Sequence, residues 1–177
     1  MSDSRRDNIG QKSTLSPGHT LSPGQVTDLR QSIELLFFAY RDFIAEPDAI
    51  LARYGFGRAH HRVIYFVGRN PGIGVSRLLE ILQITKQSLA RVLRQLIDEE
   101  FIEQRLDRED GRRRLLHLLD KGVRLESQLT RCQAERIAAA FEGVGEGCGG
   151  QDVGKGFRDV LRGMMNEKDR PRVRAVD

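Results

Sequence analysis

The sequence of 177 residues has little cysteine, no long apolar run and no strong excess of one charge. Each shortage narrows what the chain can be. Two cysteines, Cys132 and Cys148, make neither a disulfide framework nor a zinc site, and point to a reduced, cytoplasmic setting. No stretch reaches the roughly 18 apolar residues of a membrane span, so no membrane partner is expected. The N-terminus, MSDSRRDNIGQKSTLSPGHTLSPG, has no apolar h-region and does not read as a signal peptide. The segments GRNPGIG and GVGEGCGG hold neither a G-x-x-x-x-G-K-[ST] phosphate loop nor a strand-flanked G-x-G-x-x-G, so they are expected to be turns and a linker. No Ser/His/Asp set or carboxylate pair has a context for catalysis, and neither an enzyme nor a cofactor is expected. His60 and His61 are adjacent in sequence, so on a helix they point about 100° apart and do not suit one metal.

What is present is a mild basic excess, net charge +4, which permits nucleic acid or an anionic surface as partner without requiring either. Residues 1–24 are polar, carry LSPG twice, and read as a disordered arm. A first helix is expected over about 25–46, with Ile33, Leu36, Phe37, Tyr40 and Ile44 as its apolar stripe and Pro47 past its end. A short helix over Pro47–Tyr54 and another over 58–68 follow. VSRLLEIL (75–82) reads as a short amphipathic helix, and Thr85 as the N-cap of the next. Residues 102–106 and 113–119 are strand candidates around the charged tip DREDGR. A long helix is expected from about Lys121 to Phe141, then a glycine-rich loop, then a helix over about 157–166 burying Phe157, Val160, Leu161 and Met164. Residues 167–177 are expected to fray as a flexible tail.

The stretch TKQSLARVLRQLIDEE (85–100) carries the chemistry. Leu89, Val92, Leu93 and Leu96 fall on one side of its helical wheel; Gln87, Ser88, Arg91, Arg94 and Gln95 fall on the other. Its charges oppose the helix macrodipole: Lys86, Arg91 and Arg94 come early, and Asp98, Glu99 and Glu100 come late. A helix whose N-terminal residues enter the major groove accounts for that order, because cations then meet phosphate and bases while acids leave the groove. Short helix, tight turn, second helix and charged hairpin form the outline of a winged helix-turn-helix. The fold expected is mainly α with a small β-hairpin wing. The arginine-rich tip, with Arg108, Arg112 and Arg113, suits a minor groove, and Asp110 has the spacing to orient Arg112. A winged helix that contacts an acidic protein partner, without sequence-specific DNA binding, remains the alternative.

The stretch DGRRRLLHLLDKG (110–122) resembles the wing signature D-x-R-x-x-x-L-x-L-T-x-x-G of the MarR family, at Asp110, Arg112, Leu116, Leu118 and Gly122. Leu119 departs from the family's Thr, and Gln83 stands where many members have Gly. Thr85, Gln87, Ser88, Arg91 and Leu96 match the recognition-helix pattern, and residues 45–72 resemble the PetP-like branch. The resemblance covers roughly residues 26–166. It implies a homodimeric transcriptional regulator on a pseudo-palindromic double-stranded site, dimerised through helices over about 25–46 and 121–166, with its DNA-binding core over about 58–120. The DNA-binding set is then Thr85, Lys86, Gln87, Ser88, Arg91, Arg94, Arg108, Asp110, Arg112 and Arg113. It further implies a small-molecule effector cleft, for which Tyr40, Arg41, His60 and His61 are candidates beside plain packing roles. Cys132 is the candidate redox thiol, beside a buried inert role.

Overall fold

The computed structural model describes residues 21–107, 109–111, 113–145 and 152–173. Arg108, Arg112 and Cys148 lie outside the described residues. The elements are α1 (Pro23–Ala52), α2 (Arg58–Arg69), β1 (Ile73–Gly74), α3 (Val75–Leu82), α4 (Lys86–Asp98), β2 (Ile102–Leu106), β3 (Arg114–Leu118), α5 (Asp120–Gly145), α6 (Val153–Met164) and a C-terminal 3-10 helix (Glu167–Arg172). The chain is mainly helical, with an antiparallel sheet ordered β1-β3-β2. β1 was not foreseen. Two residues paired to Leu115 and Leu116 carry no periodicity, and Pro71 and Gly72 read only as a break.

α1 begins and ends where sequence signals did not place it. Ser22 of the second LSPG is the N-cap: its Oγ accepts the Gln25 N–H, and the Gln25 side chain accepts the Ser22 N–H. Pro23 then fills the first helical position, so this copy starts a helix instead of a turn. The first copy lies outside the described residues. At the other end α1 runs through Pro47 to Ala52, with no separate short helix. A proline in a helix interior costs about 3 kcal/mol. Ile50 and Leu51, one turn on, are buried in the core, and each offsets about 1.5–3 kcal/mol.

One core joins the winged helix to α5. Leu51 of α1, Val63 of α2, Leu78 of α3, Leu96 of α4, Leu116 of β3 and Leu129 of α5 are fully buried and belong to a single cluster. Phe101 lies beneath α4 and makes edge contacts with Tyr54 and Phe56. Its carbonyl accepts the Leu119 N–H at 3.0 Å, and a Cβ on Gly122 would stand 2.1 Å from that same oxygen. The glycine of the wing signature is therefore a close-approach residue that lets α5 start against the sheet. Gly122→Ala is expected to lower stability by about 3 kcal/mol, at the upper end of overpacking penalties. Urea unfolding checks this; a loss under about 0.5 kcal/mol contradicts the close approach.

Two expectations about the C-terminal part are corrected. Phe157, Val160, Leu161 and Met164 of α6 are exposed, Met164 to 63%. Leu29, Ile33, Leu36, Phe37 and Tyr40 of α1 are exposed too, Phe37 to 69%. Both stripes have the helical spacing of core residues but are largely uncovered by the described residues of one chain, although Phe157 meets the Phe141 ring of α5 edge-on at 5.6 Å. The tail is also not frayed throughout. Residues 167–172 form the 3-10 helix, and Arg172 donates to the Glu80 carbonyl of α3 at 2.7 Å. A contact across 92 positions leaves no local trace in the sequence.

Candidate nucleic-acid interface

The turn between α3 and α4 is held by side chains drawn from elsewhere. Gln83 takes a left-handed conformation, φ +53°, which costs a non-glycine residue roughly 1–2 kcal/mol. Its Nε2 donates to the Glu80 carbonyl at 2.7 Å, and Arg62 of α2 donates to the Leu82 carbonyl at 2.9 Å. Arg62 thus brings a cation to the negative end of α3, where the macrodipole favours it. Gln83 thereby replaces the glycine usual at this position without altering the helix-turn-helix.

Thr85 is the N-cap of α4, as its position suggested: its Oγ1 accepts the Ser88 N–H at 3.2 Å and donates to the Ser88 hydroxyl at 2.9 Å. Leu89, Val92, Leu93 and Leu96 are buried, which anchors the helix on the core. Lys86, Gln87, Ser88, Arg91 and Arg94 are exposed. Lys86, Arg91 and Arg94 make no ion pair with any described residue. Gln95 does not belong with this face. It is half-buried and bridges His60 and Glu99, at 2.9 and 3.0 Å. The late acids have an answer within the fold. Lys121 of α5 donates to the Glu99 carbonyl at 2.8 Å and lies 4.1 Å from the Phe101 ring centroid. This supplies the C-terminal cation that α4 itself lacks.

β2 and β3 pair in register from Ile102↔Leu118 to Leu106↔Arg114 and carry the wing beside α4. Asp107, not foreseen as a site residue, organises the tip. Its backbone N–H donates to the Arg113 carbonyl at 3.1 Å, its Oδ1 accepts the Glu109 N–H at 3.1 Å, and its Oδ2 lies 3.4 Å from the Arg113 guanidinium. An Asp ahead of a Gly-containing turn is a signal shared by many turn residues, and it did not single out Asp107. Asp110 accepts the Arg113 N–H through its carbonyl at 2.8 Å. Arg114 is exposed without an ion pair to a described residue, and adds a cation the sequence reading did not single out.

The candidates for an effector cleft separate. Tyr40 and His61 line a cavity of about 430 Å³ between α1, α2 and α5, together with Phe43, Ile44 and Tyr65. Arg41 is instead exposed, paired with Asp42 at 2.8 Å and stacked 5.0 Å from Phe38. His60 points toward α4: its Nδ1 accepts the Gly57 N–H at 3.1 Å, its Nε2 meets Gln95, and its ring stacks on Phe56 at 4.7 Å. Burial lowers the pKa of His61 from the ordinary 6.5, against the opposing pull of Asp48 and Glu126. Protonation then favours the unfolded chain. Stability is expected to be full above about pH 6.5 and to fall as pH drops toward the lowered folded value. His61→Gln should flatten that part of a melting-temperature profile; an unchanged profile contradicts the burial. Cys132 is 8% exposed, and its Sγ lies 3.2 Å from the Leu129 carbonyl. Burial, with Glu46 and Glu135, pushes its thiol upward, opposite to the exposed, low-pKa thiol that redox sensing needs.

The MarR family model matches residues 54–113, from the end of α1 to the wing tip. The chain is 50% identical over 138 residues to the HTH-type transcriptional regulator PetP of Rhodobacter capsulatus, covering 78% of this chain and 80% of that protein. The crystal structure of MarR is 24% identical, with a TM-score of 0.58 over 81% of this chain and 92% of its own. Streptococcus pneumoniae FabT, solved in complex with DNA, is 20% identical, with a TM-score of 0.59 over 76% and 96%. The fold is common to the two solved structures, and the extent and level of identity to PetP settle the family. The chain belongs to the MarR family of winged helix-turn-helix transcriptional regulators.

Proposed function

We propose that the chain works as a homodimer that binds a pseudo-palindromic double-stranded DNA site and that a small molecule modulates this binding. The observation that carries the reading is the face of α4: Lys86, Gln87, Ser88, Arg91 and Arg94 are exposed, and its three cations lack acidic partners among the described residues. In the major groove, Gln87 and Ser88 near the N-terminus read base edges, Arg91 is a third reader, and Arg94 anchors a phosphate. Thr85 orders the N-terminus as a cap, and Lys86 adds charge. The wing 102–119 enters the adjacent minor groove, with Arg108, Arg112 and Arg113 as its cations and Asp110 orienting Arg112. FabT, a relative by fold, was solved with DNA, which supports the partner class.

The dimer is built from α1, α5 and α6, and the exposed apolar stripes of α1 and α6 support it as surfaces a partner covers. A twofold dimer places two α4 helices about 34–36 Å apart, one turn of DNA. The cleft at Tyr40 and His61, lying between dimerisation and DNA-binding parts, takes the effector. Binding-site selection from genomic DNA with the purified protein tests the reading: half-sites with that spacing support it, and recovery of unrelated sequences supports an assembly module instead. Arg112→Ala is expected to weaken the selected site by about 1–3 kcal/mol, and Asp110→Ala by less. Unchanged binding by Arg112→Ala removes the wing from the site.

A further inference from the structure

The α3–α4 turn sets the angle at which α4 is presented, and the C-terminal segment reaches that turn. A helix leaves the carbonyls of its last turn without intrahelical partners. In α3 they find donors in several places. The Leu79 carbonyl accepts the Gln83 N–H at 2.9 Å, and the Leu82 carbonyl accepts Arg62. The Glu80 carbonyl accepts two donors, Gln83 Nε2 and Arg172 Nη1, each at 2.7 Å, which uses both of its lone pairs. α3 has no basic residue in its last turn, so the cations its negative end favours come from α2 and from the tail. Arg172 is held in place for this. Pro171 fixes the backbone before it. Its Nη1 lies 2.8 Å from Asp169 Oδ1, a buried oxygen one turn earlier in the 3-10 helix, and both side chains are largely covered. Arg172 is therefore the counter-charge of a carboxylate oxygen that water does not reach.

We propose that Arg172 is a positioning residue for DNA reading: it ties the segment after α6 to the α3–α4 turn and so fixes the angle at which each α4 of a dimer meets its half-site. The chain leaves the wing through α5 and comes back to the helix-turn-helix through α6, Met165, Asn166 and the 3-10 helix. α6 meets α5 through Phe157 and Phe141, which closes the path. At its end Arg172 shares the Glu80 carbonyl with Gln83, the residue in the left-handed conformation, and Thr85, two positions on, caps α4. This role rests on the dimeric DNA-binding reading of α4. Arg172 acts through the turn and touches no DNA, so its loss removes no phosphate contact.

Full-length wild type, Arg172→Ala and Arg172→Lys are compared in two measurements. The first needs no DNA. Amide hydrogen exchange at Gln83 is expected to speed up at least about tenfold in Arg172→Ala, as a local opening, while exchange in the core of α5 stays unchanged. Arg172→Lys, which keeps a cation able to donate to the Glu80 carbonyl, should restore most of the protection. The second is binding to a duplex with two selected half-sites, and to the same duplex with two base pairs inserted between them. Arg172→Ala is expected to bind the first at least about tenfold more weakly and to discriminate less against the second, with Arg172→Lys close to wild type. The salt slope, the melting temperature and the dimer mass should stay at their wild-type values. A slope reduced by about 0.9 of a unit per subunit makes Arg172 a phosphate contact and overturns the proposal. Unchanged Gln83 exchange, unchanged binding and discrimination, no recovery in Arg172→Lys, or a lowered melting temperature or monomeric mass in Arg172→Ala each overturn it too. A wild type that binds no duplex overturns the DNA reading and this role with it, whereas a failure of Arg172 alone leaves wild-type binding in place.

Discussion

Reversing Arg91 and Arg94 together to glutamate is expected to abolish specific DNA binding while the fold survives. Both side chains are exposed on α4, and neither pairs with an acid among the described residues, so their loss breaks no internal contact. On a duplex the same change replaces attraction by repulsion at four places in a dimer. Each phosphate contact carries about 0.9 of a unit in the slope of log affinity against log salt, so binding should fall more than about 100-fold at moderate salt. Stability should stay within about 0.5 kcal/mol, because surface substitutions away from caps and pairs are small in effect. The single changes divide the roles. Arg94→Ala should weaken all duplexes alike and shrink the slope, whereas Gln87→Ala should relax preference at particular base pairs. Fluorescence anisotropy on specific and scrambled duplexes, beside a melting curve for each variant, reads all of these. Unfolding of the variants, with normal binding by the folded remainder, contradicts the role of the face.

The second large effect concerns assembly. Ile33→Glu with Phe37→Glu is expected to turn the dimer into a folded monomer. The two residues lie one turn apart on α1, Phe37 is 69% exposed in a single chain, and the core that holds the winged helix begins only at Pro47. Carboxylates at both positions would be desolvated without partners in a dimer, a penalty of several kcal/mol per ion, enough for a shift beyond about 100-fold in the dimer equilibrium. In the monomer they stay in water and the winged helix keeps its fold. Sedimentation equilibrium gives the mass. A variant that remains dimeric places the interface elsewhere.

The sequence disclosed what local physics encodes. Leu89, Val92, Leu93 and Leu96 recur at helical spacing, and all four are buried in α4; Thr85 before them caps it. The wing strands followed from a charged Asp-Gly tip between apolar runs, to within a residue. What stayed hidden depends on distant contacts. Pro47 remains helical because Ile50 and Leu51 beyond it are buried. β1 exists only because β3 is beside it. Gln95 and His60 were assigned to different surfaces by wheel and proximity, and they turn out to meet each other. Arg172 pins the tail to α3 across most of the chain. For the interface, residue types and order on α4 were legible, while Asp107 emerged only from the closed wing tip.

A salt titration of the full-length protein, on a duplex carrying its selected site and on a scrambled duplex of equal length, addresses DNA reading most directly. Log affinity should fall linearly and steeply with log salt on both. The selected site should bind at least about 1,000-fold tighter at physiological salt, the lower bound for a specific regulator. Equal affinity for the two duplexes, or binding indifferent to salt, would contradict a DNA-reading role for α4 and the wing.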